Sequence, residues 1–231
     1  MNESNTAAHE KYQYKPFTGS SHSWALEFLS KQNPNSFLLD IGAGGGAIGK
    51  ELKDRKFENL YAVEVDPLSR EHIRQNYKMV AEDISTYSDK KFDLVLLLDV
   101  LEHIVNPQII LREVFKILNS GGHVLISLPN VAHWSVRFPL LFGSFNYKER
   151  GILDRTHVNF YTRQSALKFL QSFSEIKVIQ NVSTIEPVEL LLSEKVYRNP
   201  VFEAASQARL KLANLLPGLM AFQNLFLLKK T

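Results

Sequence analysis

The stretch LDIGAGGG at residues 39–46 decides the fold. An apolar run, Ser36–Ile41, leads into it and predicts a buried strand, and a helical pattern over Ala47–Asp54 follows it. Gly42 and Gly44 allow the backbone to turn sharply and to approach a ligand without a Cβ in the way. The helix that follows offers free N–H groups at its start. A strand, a glycine turn and a helix in this order predict a nucleotide site on an α/β sheet.

The rest of the chain alternates short apolar runs with helical patterns, which predicts a mainly parallel sheet. Further strands are predicted at residues 60–65, 78–81, 92–98, 123–128, 176–182 and 222–228. Helices are predicted at residues 107–118 and 163–172, and a helical region at 188–215. The 231 residues, of which 45% are hydrophobic, fit a single domain, 1–231, with an ordinary globular core.

Two segments fall outside this alternation. Residues 1–35 are interpreted as an N-terminal helical or lid segment, in which Tyr12, Tyr14 and Phe17 either fold over the nucleotide site or form an ordinary surface segment. Residues 131–161 are aromatic, basic and too long for a simple connection, so they are predicted to be an irregular insertion on the acceptor side.

Composition narrows the classes of function. The net charge is +3, and the 27 basic residues are scattered among 24 acidic ones, so a nucleic-acid partner is not favoured. The apolar run at residues 212–228 is interrupted by Asn, Pro and Gly, which predicts no transmembrane segment. The absence of cysteine and of an apolar leader favours a soluble, cytoplasmic protein. The oligomeric state stays open.

Three acidic residues follow successive strands, where ligands bind in open α/β sheets. Asp40 ends the first strand, and its carboxylate would repel a pyrophosphate but suits a cationic ligand. Glu64 is placed to accept hydrogen bonds from ribose hydroxyls. Asp83 could accept from an adenine amino group, with Ile84 packing on the ring. Together they predict a nucleoside site.

The sequence blocks within residues 37–130 occur in the same order as the motifs of a known family. The blocks LDIGAGGG, VEVD, AED, FDLVLLLDVLEH and GGHVLISLPN resemble the motifs of class I S-adenosylmethionine-dependent methyltransferases. The resemblance implies S-adenosylmethionine as cofactor and a Rossmann-like, doubly wound, seven-stranded sheet with helices on both faces. Its last strand would be antiparallel, at residues 222–228. The family's cofactor residues map onto the following positions: Asp40, Gly42, Gly44, Glu64, Asp83, Ile84, Asp99 and Val100.

Two alternatives remain open at this stage. Gly42, Gly44 and Ala47 also match the dinucleotide pattern GxGxxA, which would suit an NAD-dependent oxidoreductase. Asp40 argues against it. The other alternative is a non-catalytic adaptor that binds the cofactor without turnover.

His103 and His157 are the candidate catalytic residues. Methyl transfer to a hydroxyl needs an aligned nucleophile and a group that takes its proton, for which imidazole is well suited. Both histidines are predicted at the cofactor edge, whereas His9, His22, His72, His123 and His133 have weaker positional arguments. The predicted reaction is O-methylation of a small-molecule or glycan acceptor, whose sugar face the aromatic and arginine side chains would suit.

A divalent metal is a further possibility on the acceptor side. Asp99, Glu102, His103 and His157 form a D-x-x-E-H…H set of oxygen and imidazole ligands. It resembles the E-x-x-E-H motif of ubiquinone-biosynthesis O-methyltransferases and the E-x-x-E-H…H set of small-RNA 2′-O-methyltransferases. Aspartate replaces the first glutamate here. Asp99 could instead belong to the cofactor pocket, so the metal stays open.

Overall fold

A computed structural model describes residues 14–231 of the chain. The predictions made for His9 and Tyr12 lie outside the described residues. The described chain forms seven strands: β1 (Leu38–Ile41), β2 (Leu60–Val63), β3 (Met79–Ala81), β4 (Phe92–Leu98), β5 (Leu118–Pro129), β6 (Ile176–Ser183) and β7 (Gln223–Lys230).

Helices and helical turns connect the strands. The α-helices are α1 (Ser21–Leu29), α2 (Ala47–Asp54), α3 (Pro67–Ile73), α4 (Pro107–Ile117), α5 (Trp134–Leu141), α6 (Arg163–Gln171), α7 (Glu194–Tyr197), α8 (Pro200–Leu215) and α9 (Pro217–Met220). Short 3₁₀ turns occupy Arg74–Asn76, Ile84–Tyr87, Leu101–His103 and Val188–Leu191. No helix within residues 14–231 is both long and apolar enough to cross a membrane.

The seven strands form one sheet in the order β3-β2-β1-β4-β5-β7-β6. β1 pairs in parallel with both β2 and β4, whereas β7 runs antiparallel between β5 and β6. The predicted seven-stranded sheet with an antiparallel last strand is therefore confirmed. The strand order reverses between β1 and β4, which opens a crevice at their carboxyl ends.

Apolar layers cover both faces of the sheet. On β4, Val95 and Leu97 face one buried cluster, and Leu94 and Leu96 face the other. Leu111 of α4 belongs to the first cluster and Leu52 of α2 to the second. Burial on both faces explains why the central strands are almost wholly apolar in sequence.

Three sequence-based boundaries are wrong. Asn119–Gly122, predicted as the turn after a helix, forms a bulge inside β5, because Leu118 pairs with Phe92 and His123 pairs with Leu94, so four residues of β5 stand opposite one residue of β4. The helical region predicted at 188–215 is broken into a 3₁₀ turn, α7 and α8, and Pro200 begins α8 at its first position. The segment at 131–161, predicted to be irregular, contains α5.

A buried polar network fastens the start of α5 to the chain before α8. His133 is fully buried, and its Nε2 lies 3.0 Å from Oε1 of Glu186. The Trp134 indole donates to the same oxygen at 2.8 Å, and Arg209 donates to the other carboxylate oxygen at 3.2 Å. Burial alone would raise the pKa of Glu186, but hydrogen bonds from His133 and Trp134 lower it to about 2.

Candidate active site

The glycine turn after β1 is shaped by a close contact with the end of β4. Gly42 has φ +71°, and a Cβ at this position would lie 2.7 Å from Cγ2 of Val100. Both the backbone conformation and the close approach therefore require glycine. Val100 thus lies over the glycine turn.

The Glu64 carboxylate organises the same turn from the end of β2. Glu64 is buried, and its Oε2 accepts a hydrogen bond from the backbone N–H of Gly44 at 2.7 Å. Its Oε1 accepts from the N–H of Asp66 at 2.9 Å. Because each carboxylate oxygen can accept more than one hydrogen bond, acceptor capacity remains for a ligand hydroxyl.

Asp40 lies beneath the turn, in a more enclosed position than the sequence suggested. Its carboxylate is buried and accepts a 2.6 Å hydrogen bond from the hydroxyl of Tyr77. Burial raises the pKa of Asp40 to about 7, and the Tyr77 hydroxyl partly opposes the shift. Sequence analysis missed Tyr77, because no local pattern links it to a residue 37 positions away.

Asp83 is placed differently from Asp40 and Glu64. Its side chain is exposed and accepts from the backbone N–H of Ser85, so it caps the 3₁₀ turn that follows β3. Hydrogen bonds from the hydroxyl and N–H of Ser85 lower the pKa of Asp83. Ile84 is buried in the apolar layer that also contains Leu39 and Ile41.

Asp99 ends β4 in a left-handed conformation, with φ +58°. Its Oδ1 accepts from Ser127 Oγ at 2.5 Å and from Gln223 Nε2 at 2.6 Å. Its Oδ2 accepts from the Lys15 ammonium at 3.2 Å. Burial raises the pKa of Asp99, but the Lys15 charge and the Ser127 hydroxyl outweigh burial and bring the pKa below its ordinary value. Lys15, Ser127 and Gln223 are site residues that sequence analysis missed.

Main-chain hydrogen bonds bring His157 against His103. The backbone carbonyl of Glu102 accepts from the N–H groups of Val158 and Asn159, at 2.8 and 3.0 Å. The Asn159 amide donates to the carbonyl of Ile104 at 2.7 Å. These contacts hold the two imidazole rings 4.7 Å apart, centroid to centroid. The structure thus places the two predicted catalytic histidines together.

The hydrogen bonds of the two rings define their acceptor atoms. His157 Nδ1 lies 3.0 Å from the carbonyl oxygen of Ile152, so Nδ1 donates to it, and in the neutral ring Nε2 is the nitrogen with the lone pair. His103 Nδ1 faces the carbonyl and hydroxyl oxygens of Thr156, which favours the same tautomer. Burial lowers the pKa of His103 and keeps its ring neutral near pH 7.

Glu102 completes this cluster from within the protein. Its side chain is buried, and neither carboxylate oxygen has a hydrogen-bond partner in another residue of the described chain. Burial and the neighbouring Asp99 charge raise its pKa well above the usual range. One potential ligand atom from each of Glu102, His103 and His157 lies within 4.8 Å of the others. Asp99, the fourth member of the predicted metal set, is not part of that cluster.

Two of the remaining histidines have roles elsewhere in the fold. His123 lies in the amino-terminal half of β5, opposite Leu94, away from the strand ends that carry Asp99 and Ser127. His133 belongs to the network with Glu186. Neither joins the cluster of Glu102, His103 and His157.

Comparison with known proteins identifies the family. The family described as "Methyltransferase domain" matches residues 11–173, which is more than half of the chain. The chain therefore belongs to this family, and its sheet order and glycine turn make it a class I S-adenosylmethionine-dependent methyltransferase. S-Adenosylmethionine is its cofactor, and the NAD-dependent oxidoreductase is not favoured.

Individual relatives are distant. The ubiquinone biosynthesis O-methyltransferase of Aeromonas salmonicida is 28% identical over 117 residues, which cover 46% of this chain and 49% of that protein. The chain thus spans about half the length of the curated relatives it matches.

Solved structures support the fold over nearly the whole chain. The magnesium protoporphyrin IX methyltransferase of Synechocystis, with bound S-adenosylhomocysteine, has a TM-score of 0.61 at 10% identity and covers 91% of this chain and 82% of its own. An N-methyltransferase from Bradyrhizobium japonicum, also with S-adenosylhomocysteine, has a TM-score of 0.57 at 16% identity and covers 96% and 94%.

Proposed function

We propose that the protein O-methylates a hydroxyl group of a small-molecule or glycan acceptor, with His103 and His157 as the catalytic residues. The pair of adjacent imidazole rings beside the buried Glu102 side chain is the observation that carries this proposal. The partial similarity to ubiquinone biosynthesis O-methyltransferases supports a small-molecule acceptor. The glycan acceptor rests on the aromatic and basic character of residues 131–161.

The cofactor is assigned to the crevice between the ends of β1, β2 and β4. Glycine at position 42 and the Gly44 N–H leave room for close approach of the methionine part, and Glu64 would accept from the ribose hydroxyls. Val100 and Ile84 would line the apolar sides of the pocket, and Asp83 would meet the adenine edge. Asp40 would support the turn from below through its hydrogen bond to Tyr77.

The chemistry follows from the protonation states in this arrangement. When bound, S-adenosylmethionine would supply an electrophilic methyl group on its sulfonium, with a neutral thioether as the leaving group that keeps the bonding electron pair. The acceptor oxygen forms the new bond and gives its proton to Nε2 of His103 or His157, which carry lone pairs.

Substitution of the two histidines tests this function. His103→Gln and His157→Gln should each lower kcat by about 10²- to 10⁴-fold, the usual contribution of a positioned base. His123→Gln is the matched control, since it also removes an imidazole but lies in β5, away from the site. The assay supplies S-adenosylmethionine with panels of phenols, sugars and amines, and mass spectrometry and NMR locate the transferred methyl group.

The outcomes separate acceptor chemistry from cofactor binding. Unchanged affinity for S-adenosylhomocysteine with lost turnover supports the catalytic role of the histidines. Full turnover in both histidine variants, or methylation confined to amines, would overturn the proposal. Cofactor binding without turnover on any hydroxylated acceptor would favour the adaptor instead.

A divalent metal at Glu102, His103 and His157 is the second candidate. The buried carboxylate without a hydrogen-bond partner and the two Nε2 lone pairs suit such an ion. The metal would supply Lewis acidity that orients the acceptor hydroxyl and lowers its pKa. Elemental analysis of wild type and Glu102→Gln, with activity measured before and after chelation, tests it. Equal activity under strong chelation would reject the metal.

A further inference from the structure

Lys15 places a positive charge beside Asp99, at an edge of the sheet that carries several acids. Its Nζ lies 3.2 Å from Oδ2 of Asp99, and both side chains are 22% exposed. The pair is therefore sheltered but can be reached by a ligand. Asp40, Glu64 and Glu102 are buried nearby at the ends of β1, β2 and β4.

The lysine is held in place by the start of α1. Its backbone N–H donates to His22 Nδ1 at 3.2 Å, and its carbonyl accepts from Ser20 Oγ at 2.6 Å. Ser20 is also the N-cap of α1 and accepts from the N–H of Ser23. Burial lowers the pKa of His22 to about 4, so its ring is neutral and Nδ1 can accept. The ammonium is therefore presented from a fixed backbone position.

The two oxygens of Asp99 have different surroundings. Oδ1 is occupied by the hydrogen bonds from Ser127 and Gln223, which fix the carboxylate to β5 and β7. Within residues 14–231, Lys15 is the hydrogen-bond donor to Oδ2. Oδ2 and the ammonium thus form an ion pair that a ligand can enter without breaking the supporting contacts.

This ion pair lies beside the glycine turn. Asp99 precedes Val100, whose Cγ2 would be 2.7 Å from a Cβ on Gly42. The amino-acid end of S-adenosylmethionine carries an ammonium and a carboxylate, and this carboxylate needs a cation among so many acids. An ion pair is complementary to such a zwitterion, because each partner gains a charge-assisted hydrogen bond.

We propose that Lys15 and Asp99 together recognise the amino-acid end of the cofactor. Lys15 binds the carboxylate, and Asp99 Oδ2 accepts from the ammonium. Lys15 is thereby a cofactor-binding residue, and the chain from Tyr14 to Ser20 closes one side of the cofactor site. This inference rests on the cofactor placement in the proposed function.

A comparison of two ligands tests Lys15 directly. S-Adenosylhomocysteine carries the amino-acid group, whereas 5′-methylthioadenosine keeps the adenosine and thioether but lacks it. Lys15→Met should lower the affinity for S-adenosylhomocysteine by about 10- to 100-fold, which is the usual contribution of a hydrogen bond to a charged group. Its affinity for 5′-methylthioadenosine should change less than about twofold, since no contact to that ligand is lost. Calorimetry on the full chain measures both.

Two further variants make the result specific. Lys15→Arg should recover most of the affinity for S-adenosylhomocysteine, because it keeps the cation. Lys31→Met is the matched control, since it removes an exposed lysine that pairs with Glu27 on α1. It should affect neither ligand.

The possible outcomes distinguish failure of the Lys15 role from failure of the cofactor placement. Equal weakening of both ligands by Lys15→Met would show that Lys15 only holds the segment in place, and would overturn the inference. Unchanged affinity for S-adenosylhomocysteine would overturn it as well. Failure of the wild-type protein to bind either ligand would refute the cofactor placement itself.

Discussion

Replacing Gly42 with alanine should destabilise the protein for two separable reasons. The backbone at Gly42 has φ +71°, a conformation that costs an L-residue about 1–2 kcal/mol. The new Cβ would also lie 2.7 Å from Cγ2 of Val100, and relief of such overpacking costs about a further 1–3 kcal/mol. For a domain of this size, each 1 kcal/mol lowers Tm by about 2–4 °C.

Gly143 provides the control, because it isolates the backbone contribution. Its φ is +76°, and a Cβ there would meet nothing within 4 Å. Gly143→Ala should therefore lower Tm by about 2–8 °C, from the backbone cost alone. Gly42→Ala should lower Tm by at least about 2 °C more than Gly143→Ala does, and it should also weaken the binding of S-adenosylhomocysteine. Thermal unfolding with and without this ligand measures both effects.

A double-mutant cycle with Val100→Ala identifies the contact responsible. Shortening Val100 removes Cγ2, so Gly42→Ala should cost less free energy of unfolding in that background. The contact between the turn and the end of β4 would not contribute to stability as stated if Gly42→Ala lowers Tm no more than Gly143→Ala does. The same would follow if Gly42→Ala costs as much free energy of unfolding in the Val100→Ala background as in the wild type.

Four further substitutions address the acids. Glu64→Gln should lower the affinity for S-adenosylhomocysteine by about 10- to 100-fold. Asp83→Asn should lower it by less, because only Glu64 also accepts a hydrogen bond from the Gly44 N–H. Calorimetry measures both affinities, and the reverse order would contradict this. Asp40 has a folded pKa of about 7 against 3.8 as its ordinary value, so the free energy of unfolding should fall as pH rises through this window, and Asp40→Asn should flatten this slope in urea titrations. Glu186 has a folded pKa of about 2 against 4.5, so its stabilisation should be lost as pH falls between these values, and Glu186→Gln should reduce acid sensitivity there; an unchanged acid limb would contradict the role of its network.

The sheet was predictable from the sequence because its central strands are buried on both faces. Residues Phe92–Leu98 form a nearly continuous apolar run for this reason. The glycine turn was equally predictable, because its positive φ angles favour glycine over other residues. Asn119–Gly122 shows the limit of such local signals. Gly121 keeps the positive φ of a turn, but the four residues form a bulge within β5 because Leu118 pairs with Phe92 and His123 pairs with Leu94.

The contacts that complete the site were not predictable. Tyr77 meets Asp40 across 37 positions, and Lys15 meets Asp99 across 84, so no periodicity or motif links either pair. The position of Asp83 was more predictable, because the nearby sequence offers its side chain a local hydrogen-bond partner. An aspartate two residues before a serine favours a side-chain hydrogen bond to the nearby backbone, and the structure has that bond to Ser85.

Residues 99–103 connect the two halves of the proposed reaction. Asp99 and Val100 face the cofactor crevice, and Glu102 and His103 face His157. The carbonyl of Glu102 also holds the main chain of the 158–159 loop, so this short segment fixes the acceptor-side histidine relative to the glycine turn. The positive φ of Asp99 is the bend that turns the chain from β4 into this segment. Methyl transfer requires the acceptor atom in line with the sulfonium, and in the proposed function this segment, which contacts both the glycine turn and the 158–159 loop, would set that alignment.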